Sequence, residues 1–245
     1  MTPAEPTSDN VNNDYFPGEV LEDLRHIPNY NSWILEQFAG TLTGHTAEIG
    51  AGLGTISEAL RPHVDRLDLI EPSPALAARL RGKFKGDDGC RISERNIESW
   101  LETTSSNIFD CVVMVNVLEH IEDDLAAAKG IHSAIKKGGK LLVFVPALPF
   151  MFSKLDVELG HFRRYTRRSL ANFAEQGGFR VEKLRYFDIS GVLPWFLLNT
   201  VMGRTYFHYR SLRIYDRVIV PPTKFLEKII PPPFGKNLVL VASKI

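Results

Sequence analysis

The sequence predicts an α/β fold in which a doubly wound, seven-stranded sheet has helices on both faces. Short apolar runs alternate with segments whose apolar residues recur at helical spacing, and this alternation is typical of an open, mostly parallel sheet. Residues 109–115 are almost continuously apolar, as in parallel strands that are buried on both faces. The 245 residues are enough to bury one such core.

The elements can be assigned in order along the chain. Apolar residues between 20 and 38 predict a helical cover that is interrupted at Pro28. We expect Gly138 and Gly139 to end the third helix of the sheet region, 122–135. The predicted strands span 46–49, 66–70, 91–93, 109–115, 140–145, 180–188 and 237–243, and the predicted helices span 56–60, 75–84, 122–135 and 168–176.

Domain boundaries follow from composition. Residues 1–14 are polar without apolar periodicity, so we expect a mobile tail. Residues 15–245 are then a single domain. Within it, residues 191–235 form a large insertion between strands six and seven, which we expect to serve as a lid or a substrate-binding element.

Charge and cysteine content exclude some classes of protein. Lys and Arg number 29 and Asp and Glu also 29, which argues against a nucleic-acid binder that depends on phosphate neutralisation. Two cysteines without a CxxC pair indicate reduced thiols. The polar N-terminus lacks the pattern of a secretion signal, and no apolar run is long enough to span a bilayer. We therefore expect a cytoplasmic protein that binds no nucleic acid.

The most specific motif is the glycine-rich turn after the first strand, which reads E-I-G-A-G-L-G over residues 48–54. Glycine permits positive φ and lets a ligand approach the backbone without meeting a Cβ. Glu71 closes the second strand, where a carboxylate can accept hydrogen bonds from both hydroxyls of a ribose. The turn and the acid together indicate a nucleoside cofactor.

The spacing of the glycines separates cofactor classes. A dinucleotide site would read G-x-G-x-x-G, but Thr55 occupies the third glycine position here. Glu48 would repel a pyrophosphate and favour a cation, and S-adenosylmethionine carries sulfonium and ammonium charges. A nicotinamide oxidoreductase and a non-catalytic binding or scaffold protein are the alternatives.

The glycine turn, followed by an acid that ends strand two, resembles the class I S-adenosylmethionine-dependent methyltransferases, a Rossmann-like family. The resemblance covers residues 30–146 and the start of the last strand at 233–238. It implies S-adenosyl-L-methionine as cofactor and methyl transfer to an oxygen, in preference to nitrogen or carbon, of a small-molecule or lipid- or glycan-linked acceptor. The implied cofactor contacts are Tyr30, Glu48, Gly50, Ala51, Gly52, Gly54, Glu71, Pro72, Asn96, Ile97 and Asn116.

Two of these contacts have open alternatives. Asn96 lies where many family members have an aspartate that bonds the adenine amino group, and asparagine can still accept through its carbonyl oxygen. Ile97 would stack on adenine or belong to the core.

Residues 116–121, N-V-L-E-H-I, resemble the family segment beside the reactive methyl. His120 is the nearest candidate for a general base, although a histidine at a helix start is often structural. Glu119, His120 and His161 also resemble the magnesium site of small-RNA terminal 2′-O-methyltransferases, a distant alternative function. Asn116 replaces one glutamate of that motif and removes a charge that a hard cation would need, so we expect no metal.

Residues 156–166 follow the fifth strand and resemble a segment of bacterial methyltransferases of cell-surface glycan and lipid pathways. His161 and Tyr165 are candidate catalytic acids or bases. Arg163 and Arg164 are candidates to hold a phosphate or carboxylate, or they pair with the acids of their own segment.

The first part of the insertion is apolar, and the part that follows is basic. Trp195 lies in the apolar part and, with Glu119, Arg163 and Arg164, completes the predicted substrate-binding set. This composition suits an amphiphilic acceptor and peripheral membrane contact, while a buried lid or a homodimer interface would give the same pattern. The two consecutive prolines at 221–222 and the three at 231–233 predict that the chain leaves the insertion in an extended conformation.

Overall fold

The computed structural model describes residues 27–205 and 209–245. The strands are β1 (His45–Ile49), β2 (Arg66–Ile70), β3 (Cys90–Ser93), β4 (Phe109–Val115), β5 (Ile135–Pro146), β6 (Phe179–Phe187) and β7 (Asn237–Lys244). They form one seven-stranded sheet of order β3-β2-β1-β4-β5-β7-β6, in which β7 runs antiparallel to both of its neighbours. The predicted doubly wound fold is confirmed, whereas the predicted tail and the start of the helical cover lie outside the described residues.

Helices cover both faces of the sheet, and short polar side chains begin several of them. Asn96, Asp123 and Thr166 each accept a hydrogen bond from an N–H group in the first turn of the helix that follows. The helices are α1 (Pro28–Glu36), α2 (Thr55–Leu60), α3 (Pro74–Lys83), α4 (Ile97–Thr103), α5 (Asp124–Ala134), α6 (Lys154–Glu158), α7 (Arg167–Gln176), α8 (Val192–Trp195), α9 (Tyr209–Ile214) and α10 (Val220–Ile229).

Two predictions about glycine and proline are wrong. Pro28 is not among them: it begins α1, because proline is tolerated in the first turn, where the N–H has no helical partner, and the part of the predicted cover that precedes residue 27 lies outside the described residues. Gly138 and Gly139 lie inside β5, opposite an irregularity in β4, and a Cβ on Gly139 would approach the Asp110 carbonyl to 2.8 Å. Residues 221–222 lie in the first turn of α10, directly after a π-helical turn, and are not extended.

The insertion is helical and packs over the site end of the sheet. A π-helical turn, Tyr215–Ile219, joins α9 to α10. Asp216 accepts hydrogen bonds from the Tyr30 N–H at 2.8 Å and the Asn29 side chain at 3.1 Å, and Glu227 accepts from the Ile189 N–H at 2.8 Å. The two acids of the insertion are therefore buried and attach it to the rest of the domain. Within 27–205 and 209–245, none of the helices has the length and apolar character that crossing a bilayer requires.

Candidate active site

A cavity of about 640 Å³ lies at the carboxyl ends of β1, β2, β4 and β5. This is where ligands bind in open α/β sheets, and the volume is in the range of small-molecule sites. Its wall includes the following predicted site residues: Tyr30, Gly50, Gly52, Glu71, Pro72, Asn96, Ile97, Asn116, Glu119, His120, His161, Arg164 and Trp195. The cavity has a donor end, near the glycine turn, and an acceptor end, near Glu119 and His161.

Backbone geometry builds the donor end. Gly50 has φ of 72°, and a Cβ there would collide with the Val117 side chain. The Gly50 and Ala51 N–H groups donate to the Ile70 carbonyl at 2.8 and 3.2 Å, which ties the turn to the end of β2. Gly54, with φ of 75°, begins α2, and a Cβ there would lie 2.8 Å from Leu80. Ala51 and Gly54 therefore shape the turn from outside the cavity wall.

Glu71 connects the turn to the second strand. Its two carboxylate oxygens accept hydrogen bonds from the Gly52 N–H at 2.8 Å and the Ser73 N–H at 2.9 Å. The side chain is buried but lines the cavity. Each oxygen keeps further acceptor capacity, so the carboxylate is positioned to accept from two hydroxyls of a ribose.

Glu48 lies outside the cavity wall, contrary to the sequence expectation. Its side chain is buried behind the turn. Burial, aided by the charge of Glu71, raises the pKa of Glu48 to about 8, even though Ser57 acts in the opposite direction. A carboxyl that is mostly protonated at neutral pH contributes little of the negative charge that would attract a sulfonium.

Asn96 lines the cavity, but its carbonyl oxygen is already engaged. It accepts hydrogen bonds from the Ser99 N–H at 2.9 Å and from the Ser99 hydroxyl at 2.5 Å. Asn96 thereby caps the N-terminus of α4. An adenine contact through that oxygen would compete with the helix cap, whereas the Asn96 amide group has donor capacity.

The acceptor end is assembled around Asp156. The Asp156 carboxylate accepts from the Arg164 guanidinium at 2.8 and 3.0 Å and lies 3.0 Å from His161 Nδ1. Burial would raise the pKa of Asp156, but the hydrogen bond with His161 and the charge of Arg164 lower it below its usual value. An ionised Asp156 makes His161 Nδ1 the protonated nitrogen, which leaves Nε2 as an acceptor that faces the cavity.

Glu119 lies opposite His161. The Phe162 N–H donates to the Glu119 carbonyl at 2.8 Å, and this contact holds the His161 loop over the turn after β4. His161 Nε2 is 4.0 Å from Glu119 Oε1, and the His120 and His161 rings meet edge to face at 4.6 Å. Within the described part of the chain, neither carboxylate oxygen of Glu119 has a hydrogen-bond partner, although the side chain is fully buried. Burial raises the pKa of Glu119 to about 8.

Two predicted residues of this segment do not reach the cavity. The Tyr165 hydroxyl donates to Asp124 at 2.9 Å, and its ring is part of the core. Burial and Asp124 together raise the pKa of Tyr165 above its ordinary value, so it is a poor acid or base. Arg163 pairs with Asp124 at 2.9 Å on the outside. Because consecutive residues of an extended chain point in opposite directions, Arg164 alone enters the cavity.

Sequence reasoning missed a second polar cluster in the wall. Asp188 accepts from the Tyr30 hydroxyl at 3.1 Å and from the Tyr215 hydroxyl, and Lys236 Nζ lies 3.3 Å from it. Tyr215, Lys236 and Asn237 line the cavity. These residues come from α1, the insertion and the start of β7, so no local motif could have grouped them. The position of Asp188 at the end of β6 was the only sequence signal.

Comparison with known families agrees with this geometry. A family model described as a methyltransferase domain matches residues 25–184. The chain belongs to this methyltransferase family. Solved structures share the fold of the methyltransferase: an S-adenosylmethionine-dependent methyltransferase from Thermotoga maritima has a TM-score of 0.63 at 19% identity, covering 94% of this chain and 96% of that one. Another from Mesorhizobium loti has a TM-score of 0.61 at 13% identity, covering 88% and 97%.

Curated relatives of the methyltransferase include ubiquinone biosynthesis O-methyltransferases. That of Coxiella burnetii is 26% identical over 166 residues, covering 62% of this chain and 68% of its own. That of Xanthomonas axonopodis pv. citri is 24% identical over 186 residues, covering 68% and 74%. The predicted enzyme class and the cofactor, S-adenosylmethionine, are confirmed, in place of the nicotinamide and scaffold alternatives.

Proposed function

We propose that this methyltransferase transfers the methyl group to an oxygen of an amphiphilic small molecule or a lipid- or glycan-linked acceptor. The observation that carries the proposal is the unpartnered Glu119 carboxyl facing His161, in the same cavity as the glycine turn. A hydroxyl must lose its proton during methyl transfer, and groups that assist proton loss are needed most for oxygen acceptors. The relatives named O-methyltransferases support this choice.

Bound S-adenosylmethionine supplies an electrophilic methyl group and a neutral thioether as leaving group. Gly50, Gly52 and Glu71 hold its nucleoside part, and Asn116 lines the same cavity. The chain then has to align the acceptor oxygen with the methyl and exclude water. Asp156 orients His161. Glu119 and His161 together lower the free energy that is needed to remove the proton from the acceptor hydroxyl.

The insertion supports an amphiphilic acceptor. From Asp216 to Ile230 the helix has three distinct sides: buried, exposed apolar and mostly basic. The buried side is Asp216, Val220, Thr223 and Glu227, the apolar side is Val218, Ile219, Pro222, Phe225, Leu226, Ile229 and Ile230, and the remaining side is Arg217, Pro221, Lys224 and Lys228. Phe225 is 68% exposed and Ile229 is 63% exposed. An apolar stripe beside basic residues is typical of helices that lie on membranes.

The charges of the insertion indicate which kind of surface it would contact. Both acids of the insertion, Asp216 and Glu227, are buried, whereas Arg204, Arg210 and Arg217 are exposed. The exposed charge is therefore positive, which complements an anionic lipid surface. Leu212 and Tyr215 belong to the same insertion and line the cavity, so the insertion that carries this surface also forms part of the cavity wall. We accordingly assign this face to an anionic membrane rather than to a second copy of the chain.

Vesicle sedimentation tests the membrane assignment. Wild type should sediment with phosphatidylglycerol vesicles and stay in solution with phosphatidylcholine. The F225E/I229E double variant should lose sedimentation, because two charges replace apolar side chains at the contact. I245E is the matched control, since Ile245 is 71% exposed outside the insertion. Equal sedimentation of F225E/I229E and wild type would contradict the assignment, as would a homodimer that only F225E/I229E dissociates.

Methyl transfer tests the reaction itself. The enzyme is incubated with methyl-labelled S-adenosylmethionine and either the lipid fraction or the aqueous fraction of a bacterial extract. We expect labelled O-methyl products in the lipid fraction, and E119Q should lower the rate about 10²- to 10⁴-fold. Label confined to N-methyl or water-soluble products, or absent from both fractions, would contradict the proposal.

A further inference from the structure

The geometry points to a divalent transition-metal site formed by Glu119, His120 and His161 at the acceptor end, with Zn²⁺ as the ion that fits best. One ligand atom from each residue lies within 4.8 Å of the other two. Zinc bonds of about 2.1 Å in a tetrahedral site place ligand atoms about 3.4 Å apart, so side-chain rotation of roughly 1 Å closes the site. The inference rests on the proposed function and specifies how the acceptor proton is removed.

The unpartnered carboxyl is the first independent observation. Glu119 is 0% exposed, lines the cavity, and has no hydrogen-bond partner for either oxygen among the described residues. A buried acid without a partner is costly unless a cation or a hydrogen-bond donor satisfies it. Arg164, the nearest buried cation in this segment, is already engaged by Asp156. A metal ion between Glu119 and the two imidazoles would satisfy the carboxylate.

The environment of His161 is the second observation. Metal-binding histidines usually donate their other ring N–H to a carboxylate, which fixes the tautomer and raises the basicity of the ligand nitrogen. The Asp156 carboxylate is such a partner for His161, because it lies 3.0 Å from Nδ1. Arg164 donates to Asp156 and holds it in place. His161 Nε2 is thereby directed towards Glu119 Oε1, 4.0 Å away.

The donor set selects the class of ion. Magnesium and calcium prefer oxygen ligands, and the replacement of a glutamate by Asn116 is a reason to exclude them. One carboxylate with two imidazoles instead matches zinc and related first-row ions, which bind to three protein ligands and keep one position open. The sequence argument against a metal concerned a hard cation only, and this ligand set calls for a different ion.

An open position beside the methyl donor would take the acceptor hydroxyl. A zinc-bound O–H loses its proton near neutral pH, because the cation stabilises the oxyanion. The O–H bond breaks and its proton passes to solvent water, because the acceptor nitrogens of His120 and His161 are both engaged as metal ligands. The oxygen then forms the new O–CH₃ bond, the C–S bond breaks, and its electron pair remains on the neutral thioether.

Metal binding can be measured without turnover. Metal-free wild-type protein is titrated with Zn²⁺ by calorimetry, and with Co²⁺ by visible absorption, which reports a low-coordinate nitrogen and oxygen site. Wild type should bind one ion per chain. E119Q and H161A should lose this binding, whereas H63A, which removes an exposed histidine away from the cavity, should retain it. Circular dichroism and S-adenosylmethionine affinity confirm that each variant is folded.

The outcomes separate this inference from the proposed function. Absence of stoichiometric Zn²⁺ and Co²⁺ binding by wild type, or equal binding by folded E119Q and H161A, would overturn the metal site. Full methyl-transfer activity of metal-free protein would also overturn it while leaving O-methylation intact. Stoichiometric binding that E119Q abolishes, with no methyl transfer to any hydroxyl, would support the site and contradict the proposed function.

Discussion

The donor end and the acceptor end of the cavity are built in different ways. The donor end uses backbone groups and one acid from a short stretch of chain, residues 48–73, with the Gly52 and Ser73 N–H groups bound to Glu71. The acceptor end uses side chains from three separate segments, which contain Glu119, Asp156 and Trp195. The first is set by local conformation and the second by packing between distant elements. One fold can therefore keep its donor while its acceptor changes.

Removing Asp156 should have the largest effect, because the acceptor end depends on buried charges. D156A leaves the Arg164 guanidinium buried without its partner, and losing one member of such a pair costs about 3–5 kcal/mol. Urea unfolding measures the loss. R163A is the control, since the Arg163–Asp124 pair is partly exposed and contributes at most about 1 kcal/mol. Equal unfolding midpoints for D156A and R163A would show that the acceptor end does not rely on this pair.

Backbone geometry at the donor end predicts the next effect. G50A forces a Cβ towards Val117 at a positive φ, so we expect a loss of about 1–3 kcal/mol together with weaker S-adenosylmethionine binding. G82A is the matched control, because Gly82 lies in α3 with no atom within 4 Å of a Cβ. It should be neutral or stabilising by up to about 1 kcal/mol. A melting temperature of G50A equal to or above that of G82A would contradict the role assigned to backbone geometry at the donor end.

Glu48 gives a smaller, pH-dependent effect. The folded protein holds the Glu48 proton up to about pH 8, whereas the unfolded chain releases it near its ordinary pKa of about 4.3. Rising pH between these values therefore favours the unfolded chain, and E48Q removes this penalty. The free energy of unfolding of E48Q minus that of wild type should rise by about 2 kcal/mol from pH 6 to 8, at a slope below about 1.4 kcal/mol per pH unit.

Urea unfolding at several pH values measures the Glu48 effect. E58Q, which removes an exposed carboxyl of α2, controls for the loss of one acid. A difference curve for E48Q that is flat, or that falls with pH, would mean that Glu48 is not held as a buried acid behind the turn.

The same contrast explains how much could be predicted from the sequence. The strands could be predicted because their apolar runs are local in the sequence. The glycine turn could be predicted because the positive φ at Gly50 and Gly54 favours glycine. Proline led to a wrong assignment at residues 221–222, since position within a helix decides whether proline is tolerated.

The acceptor end could be predicted only in part. The segment that holds His161 was located, but its register was not, so Tyr165 was expected in the cavity although it lies in the core. Asp156 was considered only as a partner for arginine, because its contact with His161 depends on how the loop after α6 folds back. Lys236 and Tyr215 reach the cavity from β7 and the insertion, and only tertiary packing brings them there.

S-adenosylmethionine calorimetry with E71A and E119Q tests the division of the cavity most directly. Glu71 is placed to accept from the ribose, so E71A should weaken binding by about tenfold or more. Glu119 belongs to the acceptor end, so E119Q should bind the donor within about twofold of wild type. Unchanged affinity for E71A, or a larger loss for E119Q than for E71A, would contradict the assignment of the two ends.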